Sequence, residues 1–124
     1  MKKYLFTIAA ALGMSVPLAA PLHAADNVKV GMVTTLSGPN GAIGTEIRDA
    51  FMLAVKLNGN KLGGLPADVI IGDDKFKPEV GKQLAEKNIK LDKVDFLTGI
   101  VFSNIMLASV PEAFASKKIG RAHV

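Results

Sequence analysis

Three short stretches carry the residue types from which chemistry could be built. The first is Gly38, Gly41 and Gly44, a G-x-x-G-x-x-G run. Backbone N–H groups leading into a helix attract anions, so a phosphate cradle is conceivable. Against it, Pro39 removes a donor, G-x-G-x-x-G is not met, and no Lys-Ser/Thr pair follows. The nearest acid after a strand, Asp73, lies 35 residues beyond Gly38, against about 20 in the dinucleotide fingerprint. The plainer reading is that these glycines let the chain turn. The second stretch is Asp73-Asp74. Paired carboxylates can hold a cation or act as an acid–base pair with split pKa values. An Asp at a strand end more simply caps the loop, or the helix beginning at Pro78, and that structural role is preferred. Phe76, in the same loop, reads as the wall of a pocket. The third stretch is Ser103-Asn104. Helix capping accounts for one of them. A hydroxyl beside exposed helix N–H groups equally suits a ligand carboxylate, and both readings stand.

The elements that must position these residues follow from periodicity. Residues 28–33 alternate weakly and are rich in Val, as a strand requires, and residues 34–44 have a loop composition. Thr45 is the expected N-cap of a helix with Glu46 in its first turn, burying Ile47, Ala50, Phe51, Ala54 and Val55. Asn58, Gly59 and Asn60 stop it. Gly63, Gly64 and Pro66 make a turn before a second strand at 68–71. Pro78 suits a first helical position, with Val80, Leu84, Ala85 and Ile89 inward. Lys82, Glu86 and Lys90 point outward, and Glu86–Lys90 has the favoured order at four apart. A third strand at 94–97 and a third helix at 104–116, with Pro111 as a kink point, complete the pattern. Strand and helix alternating three times predicts an α/β fold, a three-layer parallel sheet with helices on both faces and right-handed crossovers. Ligands of such sheets bind outside the carboxyl ends of the strands, which selects loops 34–44, 72–77 and 100–104.

The ends of the chain need separate treatment. Residues 1–24 read as a secretory signal: Lys2 and Lys3, an apolar run at 5–14, then a Pro- and Ala-rich exit. That run is short for a bilayer span, which takes about 20 residues. Export to the periplasm is therefore expected. Residues 119–124 resemble the translation of a common sequencing-library adapter, so the natural chain is expected to diverge at about Ile119 and to continue differently. The expected folded part is 25–118. The 124-residue chain has 15 Lys+Arg and 11 Asp+Glu, but without Lys2, Lys3 and Arg121 the balance is 12 to 11. No basic stripe survives to suggest nucleic acid. His23 and His123 also fall in the ends, so residues 25–118 contain no His, Cys, Trp or Tyr. A Ser-His-Asp triad, a Cys nucleophile and a His/Cys zinc site are excluded there.

Taken together, the ordered motifs resemble a known family. These are Leu36-Ser37-Gly38-Pro39 through Gly44, Asp73-Asp74-Lys75-Phe76-Lys77-Pro78, and Thr98-Gly99 followed by Phe102-Ser103-Asn104. The set resembles the Leu/Ile/Val-binding (type I) family of periplasmic solute-binding proteins of ABC importers. The stretch Thr34-Thr35-Leu36-Ser37-Gly38-Pro39 and the trio Phe102-Ser103-Asn104 are similar to its aromatic-acid-binding subgroup. The resemblance implies two α/β lobes clamping a ligand, with this chain supplying the first part of lobe one. It implies a non-enzymatic receptor with no cofactor or metal, a small carboxylate ligand (amino acid or aromatic acid) and an inner-membrane ABC permease as partner. A ligand sensor of the same fold is the alternative, and a secreted α/β enzyme a more remote one. By position, Ser103 matches the serine that holds the ligand carboxylate, with Phe102 and Asn104 beside it. Ile43 matches a position lining the side-chain pocket. In several amino-acid receptors of the family the positions of Phe76 and Phe102 form a disulfide. Two phenylalanines there favour a planar or bulky apolar acid over a leucine-like one.

Overall fold

Val30, Met32 and Val33 are all but inaccessible to solvent, so the first strand must be covered on both faces. The computed structural model describes residues 26–116; the expected signal and the tail from Ile119 lie outside the described residues. The elements run β1 (Val28–Thr34), α1 (Gly41–Leu57), β2 (Lys61–Leu62), β3 (Leu65–Asp73), α2 (Pro78–Lys90), β4 (Phe96–Thr98) and α3 (Ser103–Ala115). They form one sheet in the order β2-β3-β1-β4. The central strand pairs parallel with β3 from Val28↔Ala67 to Thr34↔Asp73. On its other side it pairs parallel with β4 from Val30↔Phe96 to Met32↔Thr98.

The helices lie on both faces, as the alternation requires. A Cβ added at Gly31 would lie 2.6 Å from the Asn88 side-chain nitrogen of α2. The Thr34 hydroxyl instead sits 2.8 Å from where a Cβ at Gly44 of α1 would be. Residues three apart on a strand point to opposite faces, so α1 is on one face and α2 on the other. Helix α3 packs along α2. Ala85 and Ile89 of α2 are buried with Ile105 and Ala113 of α3, and Val80 and Leu84 are half-buried.

Four expectations are corrected. First, α1 begins at Gly41, not Thr45; its N-cap is Asn40, whose side chain makes no cap bond. Gly41 and Gly44 are thus helical positions rather than turn residues, and they serve close approach. A Cβ would lie 2.7 Å from the Leu36 carbonyl at Gly41, and 1.9 Å from the Thr35 carbonyl at Gly44. This rotates the inward stripe to Gly41, Gly44 and Val55, with Phe51 half-buried, leaving Ile47, Ala50 and Ala54 exposed. Second, β3 is longer than expected and is preceded by β2 in an antiparallel hairpin, Lys61↔Pro66 and Leu62↔Leu65. Gly63 and Gly64, both at positive φ, supply the two-residue turn, so the sheet is mostly, not wholly, parallel. A two-residue strand leaves too little periodicity to read. Third, β4 starts at Phe96, with Val94 buried just before it, and α3 starts one residue early at Ser103, with Pro111 inside it. Fourth, Lys90 reaches Glu112 of α3 at 3.4 Å rather than Glu86. Lys82 contacts both Glu86 (3.9 Å) and Glu112 (3.4 Å). The packing of α3 along α2 brings Glu112 between two lysines. Partial burial pushes its carboxyl up, but Lys90 and Lys82 outweigh this and hold it below its ordinary value.

Candidate functional site

The strand order locates a crevice. From β1 the chain crosses to β3 on one side by way of α1, then returns past β1 to β4 by way of α2. The loops after β1 and β4 therefore diverge to opposite faces, leaving an opening at their carboxyl ends. Residues 35–40 follow β1 and residues 99–102 follow β4, and the loop after β3 touches both stretches.

Asp73 and Asp74 tie these loops together. Asp73 Oδ1 accepts from the Leu36 N–H of the first loop (2.9 Å) and from the Lys75 N–H of its own loop (2.9 Å). Burial pushes its carboxyl up, but the Leu36 N–H, the Ser37 hydroxyl and the Lys75 and Ser37 N–H groups outweigh that and lower its pKa. Asp74 is fully buried. Its Oδ1 accepts from the Thr35 hydroxyl (2.5 Å) and the Phe76 N–H (2.9 Å), while Oδ2 has no hydrogen-bond partner among the described residues. The expected loop-capping role is found, since each carboxylate bonds the N–H two residues on, as Asx turns do. The expected helix-capping role is not: the N-cap of α2 is Lys77, without a side-chain cap bond. Among the described residues no group of three His, Cys, Asp or Glu is placed to hold a metal ion.

Lys75 and Phe76 both take left-handed backbone angles, φ 54° and 59°, closed by a bond from Lys77 N–H to the Asp74 carbonyl (2.9 Å). This turn swings the Phe76 ring onto Phe102, centroids 4.7 Å apart and planes at 85°. Such an edge-to-face pair contributes about 0.5–1.5 kcal/mol beyond its burial. Phe102 is the N-cap of α3 and its carbonyl accepts from Ile105 and Met106. The helix ladder starts with those two donors, so the N–H groups of Ser103 and Asn104 precede it. Neither Ser103 nor Asn104 acts as the cap, which removes the role expected for one of them. Both are exposed at the mouth of the crevice beside the aromatic pair.

Of the residues singled out from sequence, Phe102, Ser103 and Asn104 are consecutive at the start of α3, with Phe76 against Phe102. Ile43 comes from the opposite face of the sheet: it lies in the first turn of α1, 48 % exposed, and can meet them only across the crevice. Thr35 was not anticipated. Its hydroxyl is the group that couples the first loop to Asp74, and nothing in its local sequence distinguishes it from a strand-end threonine. An apolar groove of about 360 Å³ lies between β4 with its following residues, Leu97–Ile100, and Met106, Val110, Ala113 and Phe114 of α3. Thr98 supplies the sole polar side chain of its lining.

A mostly parallel α/β layer with three loops tied together at its carboxyl edge, and a helix N-terminus among them, is the arrangement expected of a ligand-binding lobe. Comparison with known proteins specifies the kind. A family model described as periplasmic binding protein matches residues 27–119. The chain belongs to that family, and to its type I fold. The chain is 30 % identical over 112 residues to Leu/Ile/Val-binding protein homolog 6 of Brucella abortus (strain 2308), covering 90 % of this chain and 28 % of the relative. A solute-binding protein of an ABC transporter from Rhodopseudomonas palustris BisB5, solved with 3,4-dihydroxybenzoic acid, is 33 % identical with TM-score 0.67, over 71 % of this chain and 24 % of that one. An R. palustris solute-binding protein in complex with benzoate is 33 % identical with TM-score 0.66, over 70 % and 24 %. The chain thus spans about a quarter of the length of these relatives. Such homologues are solute-binding proteins of ABC transporters, not enzymes. Among the described residues no helix is long and apolar enough to cross a membrane.

Proposed function

We propose that this chain is the first part of lobe one of a periplasmic receptor delivering a small carboxylate, an aromatic acid by preference, to an ABC importer. The observation that carries the reading is the edge-to-face Phe76–Phe102 pair standing beside the exposed Ser103 at the N-terminus of α3. The ligand carboxylate would take the Ser103 hydroxyl and the free N–H groups of the first turn, where helix dipole and hydrogen bonding both favour an anion. The aromatic pair and Ile43 would offer the apolar surface for the rest of the molecule. Function follows by differential binding: ligand that bridges two lobes stabilises a closed form, and the permease recognises that form. A signal at 1–24 would deliver the protein to the periplasm.

The test is calorimetry on the full-length receptor with benzoate, 3,4-dihydroxybenzoate and leucine, in the wild type and Ser103→Ala. Losing a hydrogen bond to a charged group costs roughly 1.5–3 kcal/mol. Binding of the preferred acid should weaken by roughly 10–150-fold. Unchanged affinity in Ser103→Ala, or equal binding of ligands lacking a carboxylate, would remove Ser103 from the site.

A further inference from the structure

Asp74 is buried to 0 % exposure without a cationic partner among the described residues, and it makes four bonds, one to the end of β1 and three to the segments that follow β1 and β3. Its N–H donates to the Thr34 carbonyl (3.0 Å), extending the β1–β3 ladder into the loops. Its carbonyl closes the turn to Lys77, and its Oδ1 holds the Thr35 hydroxyl and the Phe76 N–H together. We propose that Asp74 is the positioning residue of the binding edge, setting the place of Phe102 and Ser103 through Phe76; this rests on the reading that ligand is held at Ser103.

The physical case begins with Phe76. A bulky residue with φ near 59° is an outlier that persists only where its surroundings over-determine it. Two things hold it: the Asp74 carboxylate on its N–H, and the Phe102 ring against its own. Phe102 is the residue before Ser103 and caps α3 through its carbonyl. Thr35, Asp74, Phe76 and Phe102 therefore form one continuous series of contacts across all three loops, ending at the residue just before Ser103. Removing the Asp74 carboxylate leaves the Thr35 hydroxyl and the Phe76 N–H without their acceptor, and frees Phe76 to relax to an ordinary backbone conformation. Its ring then leaves Phe102, and Ser103 loses its fixed place. Asp74 Oδ2 makes no hydrogen bond among the described residues, so an amide that keeps Oδ1 keeps all four bonds.

The experiment uses the full-length receptor carrying 4-fluorophenylalanine, with the signals of Phe76 and Phe102 assigned by replacing each with Leu. In the wild type the two rings shift one another's fluorine resonance. Asp74→Ala is expected to move the Phe102 signal towards its position in Phe76→Leu and to weaken benzoate binding about tenfold or more. Asp74→Asn is expected to retain the signal and to bind within about threefold of wild type. In a Phe102→Leu background, Asp74→Ala should add little further loss, because coupled residues are not additive. An unmoved Phe102 signal in Asp74→Ala, or Asn behaving like Ala in both readouts, overturns the proposal. Should Asp74→Ala fail to fold, Thr35→Val carries the test: the same signal moves in the same direction by less, and no movement overturns it. If the wild type binds none of benzoate, 3,4-dihydroxybenzoate and leucine, the ligand reading fails, while the fluorine signals still decide whether Asp74 positions the aromatic pair.

Discussion

Replacing Gly44 by Ala should destabilise this protein although it improves the helix. Alanine is favoured over glycine inside a helix by about 0.8–1.0 kcal/mol, and Gly44 lies in the first turn of α1. Yet the new Cβ would fall 1.9 Å from the Thr35 carbonyl oxygen, 2.7 Å from its carbon and 2.8 Å from the Thr34 hydroxyl. Two of those three atoms are backbone and cannot rotate away. The start of α1 must therefore withdraw from β1 by about 1 Å or more, loosening Val55 and the buried Thr34–Thr35 step. Overpacking of this kind costs typically 1–3 kcal/mol, and backbone neighbours place the site at or above the upper end. Set against the propensity gain, the net loss should be about 2 kcal/mol. For a domain of this size that corresponds to roughly 8–16 °C in melting temperature. Urea and thermal unfolding followed by far-ultraviolet circular dichroism would measure it. Ala42→Gly, an exposed change two residues away in the same first turn, calibrates the helix contribution at about 1 kcal/mol in the opposite chemical direction. A Gly44→Ala protein as stable as the wild type, or more so, would refute the close-approach account.

Two further outcomes are expected. The Asp73 carboxylate has a lowered pKa in the folded state, so its stabilising contribution is complete above the unfolded value of about 3.9 and is lost as pH falls through the lower folded value. Asp73→Asn should flatten the acid limb of stability against pH, and urea midpoints from about pH 5 to pH 2 that fall in parallel for both proteins would contradict this. The 124-residue chain expressed alone should self-associate, because β4 is an edge strand with an apolar groove beside it and Phe114, 63 % exposed, at the rim. Phe114→Lys should raise the monomer fraction in sedimentation velocity, and a wild-type chain that is monomeric at every concentration would contradict it.

The architecture was legible because its signals are local and redundant. The apolar strands, Pro78 at a helix start and the Asn58-Gly59-Asn60 stop each carry their meaning within a few residues. The errors share a cause. Thr45 has the chemistry of an N-cap, and Gly41 and Gly44 the chemistry of a loop, only while tertiary contact is ignored. Once α1 lies against the Thr35 and Leu36 carbonyls, the same glycines become the residues that let the helix start early. That one shift moved the whole buried stripe of α1. Likewise Glu86–Lys90 has the right spacing for a pair, but Glu112 arrives from another helix and takes Lys90. The candidate site was only partly readable as an arrangement. Ser103 and Phe102 follow from residue type at a strand end together with a family resemblance, whereas the Thr35–Asp74 bond joins positions 39 apart and leaves no periodic trace.

The aromatic pair also bears on how the edge is kept rigid. The resemblance implies that some relatives carry a disulfide where Phe76 and Phe102 stand. A covalent link acts largely by restricting the unfolded chain, whatever fills the crevice. An edge-to-face pair acts only in the folded state and contributes less, about 0.5–1.5 kcal/mol. On its own it would be a weak substitute. Here it is the last contact of a series anchored by a buried carboxylate, and the left-handed turn at Lys75–Phe76 leaves the ring few places to go. Order already present in the free protein need not be created on binding, and that saving appears as affinity. The same two rings can then serve as apolar wall and as brace, a combination that a disulfide, with little surface to offer a planar ligand, does not provide.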